Sequence, residues 1–189
     1  QRIQITNHSD RTVTWTLERP DGRANVIDQV FLDEMSYALD ELETDKLVTA
    51  LLIRSGHPKI FLAGADLNTL TKLGPDELEN LLHYGQDTFS RLSRLDLTTV
   101  CAINGPCLGG GYELALACDR RILSANPNAV VGLPETNLGL LPGWGGCYRL
   151  PRLIGLSRAL PTLAGGRPVR PPKAVKLGMV DEITSGESL

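Results

Sequence analysis

The chain has 189 residues, 42% of them hydrophobic, and 19 Lys and Arg against 22 Asp and Glu give a formal net charge of −3. That is enough apolar material for one globular domain over residues 1–189, while the scattered basic residues, with few aromatics beside them, exclude the usual footprint of nucleic-acid binding. No apolar stretch reaches the roughly 20 residues that span a bilayer, and the N-terminus lacks a basic-then-apolar signal pattern.

Apolar and polar residues alternate from Thr12 to Leu17, the mark of a half-buried strand, and Arg19-Pro20-Asp21-Gly22 ends it. Asp28 is placed to cap a helix in which Phe31, Met35, Ala38, Leu39 and Leu42 recur at helical spacing to about Thr44. Val48–Ile53 reads as a buried strand. Pro75 opens a second helix with Leu78, Leu81, Leu82, Phe89 and Leu92 on one stripe, and Thr98–Ile103 is a further strand. The β-α-β-α-β-α order argues for an α/β fold of parallel strands covered by helices.

Chemistry concentrates in three glycine-containing segments: Gly109-Gly110-Gly111-Tyr112-Glu113, Gly132-Leu133-Pro134-Glu135 and Leu141-Pro142-Gly143-Trp144-Gly145-Gly146. Glycine lets a backbone approach a ligand closely, and at a helix start it leaves N–H donors unpaired. The small apolar run Leu114–Cys118 makes Gly110 and Gly111 a helix start, with Glu113 in its first turn, where the helix dipole favours the charged carboxylate. Glu113 stands almost alone as a charge between Cys101 and Cys118, and Glu135 follows Val130-Val131-Gly132-Leu133-Pro134. Two carboxyls in apolar company are candidates for raised pKa and proton transfer.

Other motifs are absent. The glycine runs lack G-x-G-x-x-G and G-K-[ST], and Ser157 misses the last glycine of a nucleophile elbow, so it reads as a helix residue. His8, His57 and His83 stand apart from both glutamates, with His57 in a loop before Pro58. Cys101, Cys107, Cys118 and Cys147 form no C-x-x-C pair and have no histidine nearby, so no metal site is expected; they read as buried free thiols and point to a reducing compartment. The modest cluster Arg167, Arg170, Lys173 and Lys176 reads as a solvated helix face, the alternative being contact with phosphates or a partner.

Four blocks in order carry a family resemblance: Leu17-Glu18-Arg19-Pro20 with Ala24-Asn25; Phe61–Leu67; Asn104-Gly105 through Glu113 and Asp119; and Leu133-Pro134-Glu135 through Gly146 with Arg149-Leu150-Pro151-Arg152. On these the chain resembles the crotonase, or enoyl-CoA hydratase/isomerase, superfamily over nearly its whole length. The resemblance implies a crotonase-like spiral of repeated β-β-α units. It also implies further helices beyond the Ala174–Glu182 segment, which pack over the acyl-CoA site and help build trimers; a chain ending at Leu189 is expected to lack that helical part. Pro20–Val26 and Gly165–Ala174 look most like the multifunctional fatty-acid oxidation α-subunits, in which a hydratase/isomerase domain precedes a dehydrogenase domain.

Carried over residue by residue, the resemblance implies that the amides of Ala65 and Gly110 form an oxyanion hole for a thioester carbonyl. Glu113 and Glu135 flank the water and the Cα–Cβ bond, with Glu135 as the protonated acid and Glu113 holding and activating the water, and the Gly143 amide helps to position that water. Arg23, Ala24, Phe61, Ala63, Asp66 and Leu67 match substrate-contacting positions, Asp66 with a loop-structural role as its alternative. Having both glutamates favours hydration of 2-trans-enoyl-CoA in fatty-acid β-oxidation; the alternatives are 3-enoyl to 2-enoyl isomerisation and a non-catalytic acyl-CoA-binding scaffold. No cofactor is expected in this domain, since coenzyme A belongs to the substrate, and NAD enters only if a dehydrogenase domain follows. The expected partners are the acyl-CoA thioester and other subunits, in a homo-oligomer or a fatty-acid oxidation complex, with no nucleic acid. The expected location is cytoplasmic, or the mitochondrial matrix if a transit peptide has been removed.

Overall fold

The computed structural model describes residues 1–185. It opens with a strand that periodicity does not announce, β1 (Ile3–Asn7), paired antiparallel with β2 (Thr12–Leu17). Only Ile3 of β1 is buried, so this edge strand carries no alternating apolar signal. From β2 the large sheet runs through β3 (Ala50–Ser55), β4 (Thr98–Ile103), β6 (Arg120–Ser124) and β8 (Glu182–Thr184), each parallel to the last. β3 begins two residues later than the expected 48–53 strand, because its ladder starts at Ala50 and buries Leu51 and Ile53; Val48 precedes the ladder.

Parallel neighbours require crossovers, and helices supply them. α1 (Gln29–Thr44) is capped by Asp28, whose side chain accepts the Phe31 N–H, and it buries Phe31, Leu32, Met35, Ala38, Leu39 and Leu42. After the short α2 (Leu67–Leu70), α3 (Pro75–Leu92) buries Leu81, Phe89 and Leu92 of the expected stripe, leaving Leu78 and Leu82 half-buried. These helices and the sheet share one core that includes Trp15, Phe61 and Tyr112.

A second, narrower ribbon positions the site. β5 (Cys107–Leu108) pairs parallel with β7 (Val131–Gly132), and single bridges Ile27–Ala65, Leu62–Cys107 and Val131–Val169 extend the pairing. Each turn of chain therefore gives one strand to the sheet, one extended piece to the ribbon and then a helix: β4, β5 and α4 (Gly110–Ala117), for example, or β6, β7 and α5 (Gly146–Ile154). This is the spiral of β-β-α turns. The buried Asn25 side chain ties two turns together, donating through Nδ2 to the Leu17 and Phe61 carbonyls at 3.0 and 3.1 Å and to Ser55 Oγ at 2.9 Å. α6 (Leu156–Gly165), which contains Ser157, and α7 (Pro171–Leu177) complete the elements.

Cys101, Cys107 and Cys118 are buried and free as expected, but Cys147 is exposed, because it sits on the outer side of the first turn of α5. The basic cluster is solvated but not one helix face: Lys173 and Lys176 lie on α7, while Arg167 and Arg170 precede it. Among the described residues no helix is long and apolar enough to cross a membrane.

Candidate active site

The Ile27–Ala65 bridge fixes the first half of the site. Ile27 N–H donates to the Gly64 carbonyl at 2.8 Å and the Ile27 carbonyl accepts the Asp66 N–H at 2.9 Å. In a parallel bridge of this kind the facing residue's own N–H is directed away from its neighbour, so the Ala65 N–H is left over. The second half is the start of α4. Gly109 turns into it at φ +54°, and Gly110, as the first helical residue, has an N–H with no acceptor inside the helix. Among the described residues neither the Ala65 nor the Gly110 N–H donates to the protein.

The two loops meet closely. Gly64 has φ +95°, and a Cβ there would stand 2.9 Å from the Leu108 carbonyl and 3.4 Å from the Gly110 nitrogen. Only glycine allows that approach. On the other side of Gly109, its N–H donates to the Gly132 carbonyl at 2.9 Å, which carries β7 and the 3₁₀ turn Glu135–Leu138 alongside. A Cβ on Gly109 would lie 3.0 Å from Glu135 Oε1. Glu135 Oε2 is buried with no partner among the described residues, and burial raises the carboxyl above the ordinary glutamate range.

Glu113 is 1% exposed. Its Oε1 accepts the Trp144 N–H at 2.8 Å and the Gly146 N–H at 2.7 Å, and its Oε2 accepts none from the described residues. Burial pushes its pKa up to about 7; the Gly146 amide opposes the rise, neighbouring Glu135 adds to it, and the Trp144 amide and Arg149 oppose it. The helix start alone favours the charged form, but loss of water outweighs it. The expected pair is thus brought together beside both leftover amides.

Trp144 connects these parts in a way that its place in a glycine-rich motif does not reveal. Its indole packs edge-to-face on Phe89, with ring centroids 5.8 Å apart, and fills the positions that a Cβ on Gly85 or Gly110 would occupy. Gly85, in the middle of α3, carries the sequence signal for this close approach: an interior helix glycine costs about 1 kcal/mol relative to alanine. Gly85→Ala should nevertheless destabilise the protein, by about 1–3 kcal/mol, because the added methyl meets a wedged ring. The urea unfolding midpoint measures this, and a variant more stable than wild type would contradict the packing.

The remaining expected positions divide. The Gly143 N–H has no protein acceptor among the described residues, while its carbonyl takes a hydrogen bond from Gln86 Nε2 at 2.7 Å. Ala63 and Leu67 are exposed and Ala24 is half-buried, next to Asn25, whose carbonyl accepts the Ala63 N–H at 2.9 Å. Arg23 is exposed, and its Nε donates to Asp21 at 2.8 Å. The Asp66 carboxylate caps α2, accepting the Asn68 N–H at 3.0 Å. Phe61 is fully buried in the core, so its side chain cannot line a substrate site; only its backbone faces the ribbon, where the N–H donates to the Pro106 carbonyl at 3.1 Å.

Two loops offering free amides beside one buried and one half-buried carboxyl, built on a β-β-α spiral, define a crotonase-type core. An enoyl-CoA hydratase structure from Bacillus anthracis matches it with a TM-score of 0.93 at 32% identity, covering 99% of this chain and 71% of that one. The chain belongs to the enoyl-CoA hydratase/isomerase family, whose model matches residues 9–189. It is similar to the fatty acid oxidation complex subunit alpha of Aliivibrio fischeri, 45% identical over 175 residues, and to that of Shewanella halifaxensis, 40% identical over 181 residues. These matches cover 91% and 95% of this chain but only 26% of each relative, so the chain spans about a quarter of their length.

Proposed function

We propose that this domain adds water syn across the double bond of 2-trans-enoyl-CoA in fatty-acid β-oxidation. The observation that carries the reading is a pair of carboxyls with raised pKa, Glu113 buried and Glu135 half-buried, beside two unpartnered amides on loops in contact. The thioester carbonyl accepts hydrogen bonds from Ala65 and Gly110, which stabilise the negative charge that grows on its oxygen as water attacks. Glu113, ionised, takes one proton from the water as its oxygen bonds to the β-carbon. Glu135, protonated, gives one proton to the α-carbon. The pair ends with its proton on the opposite member and resets through exchange with solvent. Gly143 N–H, free and on the loop that holds Glu113, positions the water. Arg23, Ala24, Ala63, Asp66 and Leu67 line the approach of the coenzyme A portion, and no cofactor takes part.

The names of the relatives support a place in a longer α-subunit of a fatty-acid oxidation complex. Isomerisation of 3-enoyl-CoA needs a single carboxylate to shuttle a proton between carbons, and the unpartnered Oε2 of Glu135 favours it as a second activity. The test mixes 2-trans-enoyl-CoA with the longest native form of the chain and follows loss of the conjugated-thioester absorbance, with Glu135→Gln alongside. Rapid loss that the variant abolishes is expected. Acyl-CoA binding without absorbance loss would replace the hydratase reading with a binding scaffold.

A further inference from the structure

Between Pro142 and α5 the chain passes through Gly145 at φ +110°, and the space a Cβ would need there is filled by the guanidinium of Arg149. The Arg149 side chain grips this turn through Nη1, which donates to the Trp144 carbonyl at 2.8 Å, while its backbone N–H makes the first helical bond of α5, to the Gly145 carbonyl at 2.7 Å. The amides on either side of the gripped glycine, Trp144 and Gly146, are the two that converge on Glu113 Oε1. Among the described residues no other cation hydrogen-bonds this stretch; Gln86, on the Gly143 carbonyl, is uncharged.

We infer that Arg149 is a positioning residue for Glu113: it locks the Trp144–Gly146 turn that holds the carboxyl and supplies the positive charge that acts on its ionised form. Arg149 is half-buried and makes no ion pair among the described residues, so no contacting carboxylate neutralises it. The ionisable groups acting on Glu113 are Glu135 from the 3₁₀ turn and Arg149 from α5, with opposite effects, and Cys147 from the first turn of α5 feels both carboxyls. Burial weakens the charge on Arg149 and Glu113 sustains it, as mutual stabilisation requires. A turn free to shift would move the base relative to the water, and a displacement of about 1 Å can cost on the order of 100-fold in rate.

The inference rests on the hydratase reading for its rate assay, so it is tested with a second readout that needs no turnover. Arg149→Gln removes the charge but keeps a donor for the Trp144 carbonyl; Arg149→Lys keeps the charge. In the longest native chain, Arg149→Gln should lower kcat by about tenfold or more with KM changed less than about threefold. It should also move the low-pH limb of kcat to higher pH, since losing a cation makes Glu113 harder to ionise. Arg149→Lys should leave the limb in place while kcat falls less. An infrared titration of the protonated carboxyl band that Glu113→Gln abolishes should give the same ordering whether or not the wild type hydrates enoyl-CoA. An inert wild type would therefore remove the hydratase reading and leave this one decidable. Wild-type kcat and an unmoved titration in folded Arg149→Gln overturn the inference; should that variant not fold, wild-type kcat in Arg149→Lys together with an unmoved limb when Arg149→Met is substituted does the same.

Discussion

Glu113→Gln is expected to reduce the hydration rate by about 10²–10⁴-fold, the usual contribution of a positioned acid or base, and at the same time to make the fold more stable above neutral pH. Both effects come from the same burial. With a folded value of about 7 against an ordinary 4.5, Glu113 keeps its proton in the folded chain over a window in which the unfolded chain has released it. The folded state therefore binds more protons between those values, stability falls as pH rises through the window, and the loss is complete above about 7. The shift corresponds to about 3 kcal/mol at most. A glutamine keeps an Oε1 acceptor for the Trp144 and Gly146 amides without carrying charge. Urea unfolding at pH 5 and pH 8 should show the variant gaining on the wild type at the higher pH; an equal gap at both would remove the burial argument. In the wild type kcat/KM should fall as pH drops through about 7, where the base becomes protonated, and Glu113→Gln should lose hydration while 3-enoyl isomerisation survives in part.

Local signals located the elements whose reasons are local. Asp28, Pro75 and the Thr98–Ile103 run stand where the structure puts a cap, a first helical residue and a strand. β1 carries no period because only one of its residues is buried, and apolar patterning starts β3 two residues early because Val48 is apolar yet lies outside the ladder. The ribbon is built mostly from single bridges such as Ile27–Ala65, which have no periodicity at all, so the spiral came from family resemblance and not from the residues. The glutamates and their glycines were legible, since a charge in apolar company and a glycine run are both visible as letters. What holds Glu113 was not: its donors are backbone amides, and every residue has one. Phe61 marks the limit of resemblance in the other direction, because a matching position can have its side chain in the core.

Gly110→Ala tests the contact between the free amides and the carboxyl more severely than removal of either acid. Alanine is the better helix former by about 1 kcal/mol, so local propensity favours the change. Packing opposes it: the new methyl would stand 2.5 Å from the Trp144 ring and 3.0 Å from Ile27 Cδ1. Ile27 holds the Ala65 loop through its bridge, and Trp144 holds Glu113 through its amide, so relief in either direction moves a group on which the proposed reaction depends. The helix start could retreat instead, which would carry the Gly110 N–H away from the carbonyl oxygen. Loss of one such donor is worth roughly 10²–10³ in kcat, and overpacking adds about 1–3 kcal/mol of destabilisation. Gly165→Ala is the control, because a Cβ there meets nothing within 4 Å; its kcat should equal that of wild type. Gly111→Ala is no substitute, since its methyl would collide with the Leu62 carbonyl and the defect would be one of folding. Stopped-flow hydration with urea unfolding alongside separates rate from stability, and a folded Gly110→Ala with wild-type kcat would mean that the Gly110 amide does not bear the charge of the transition state.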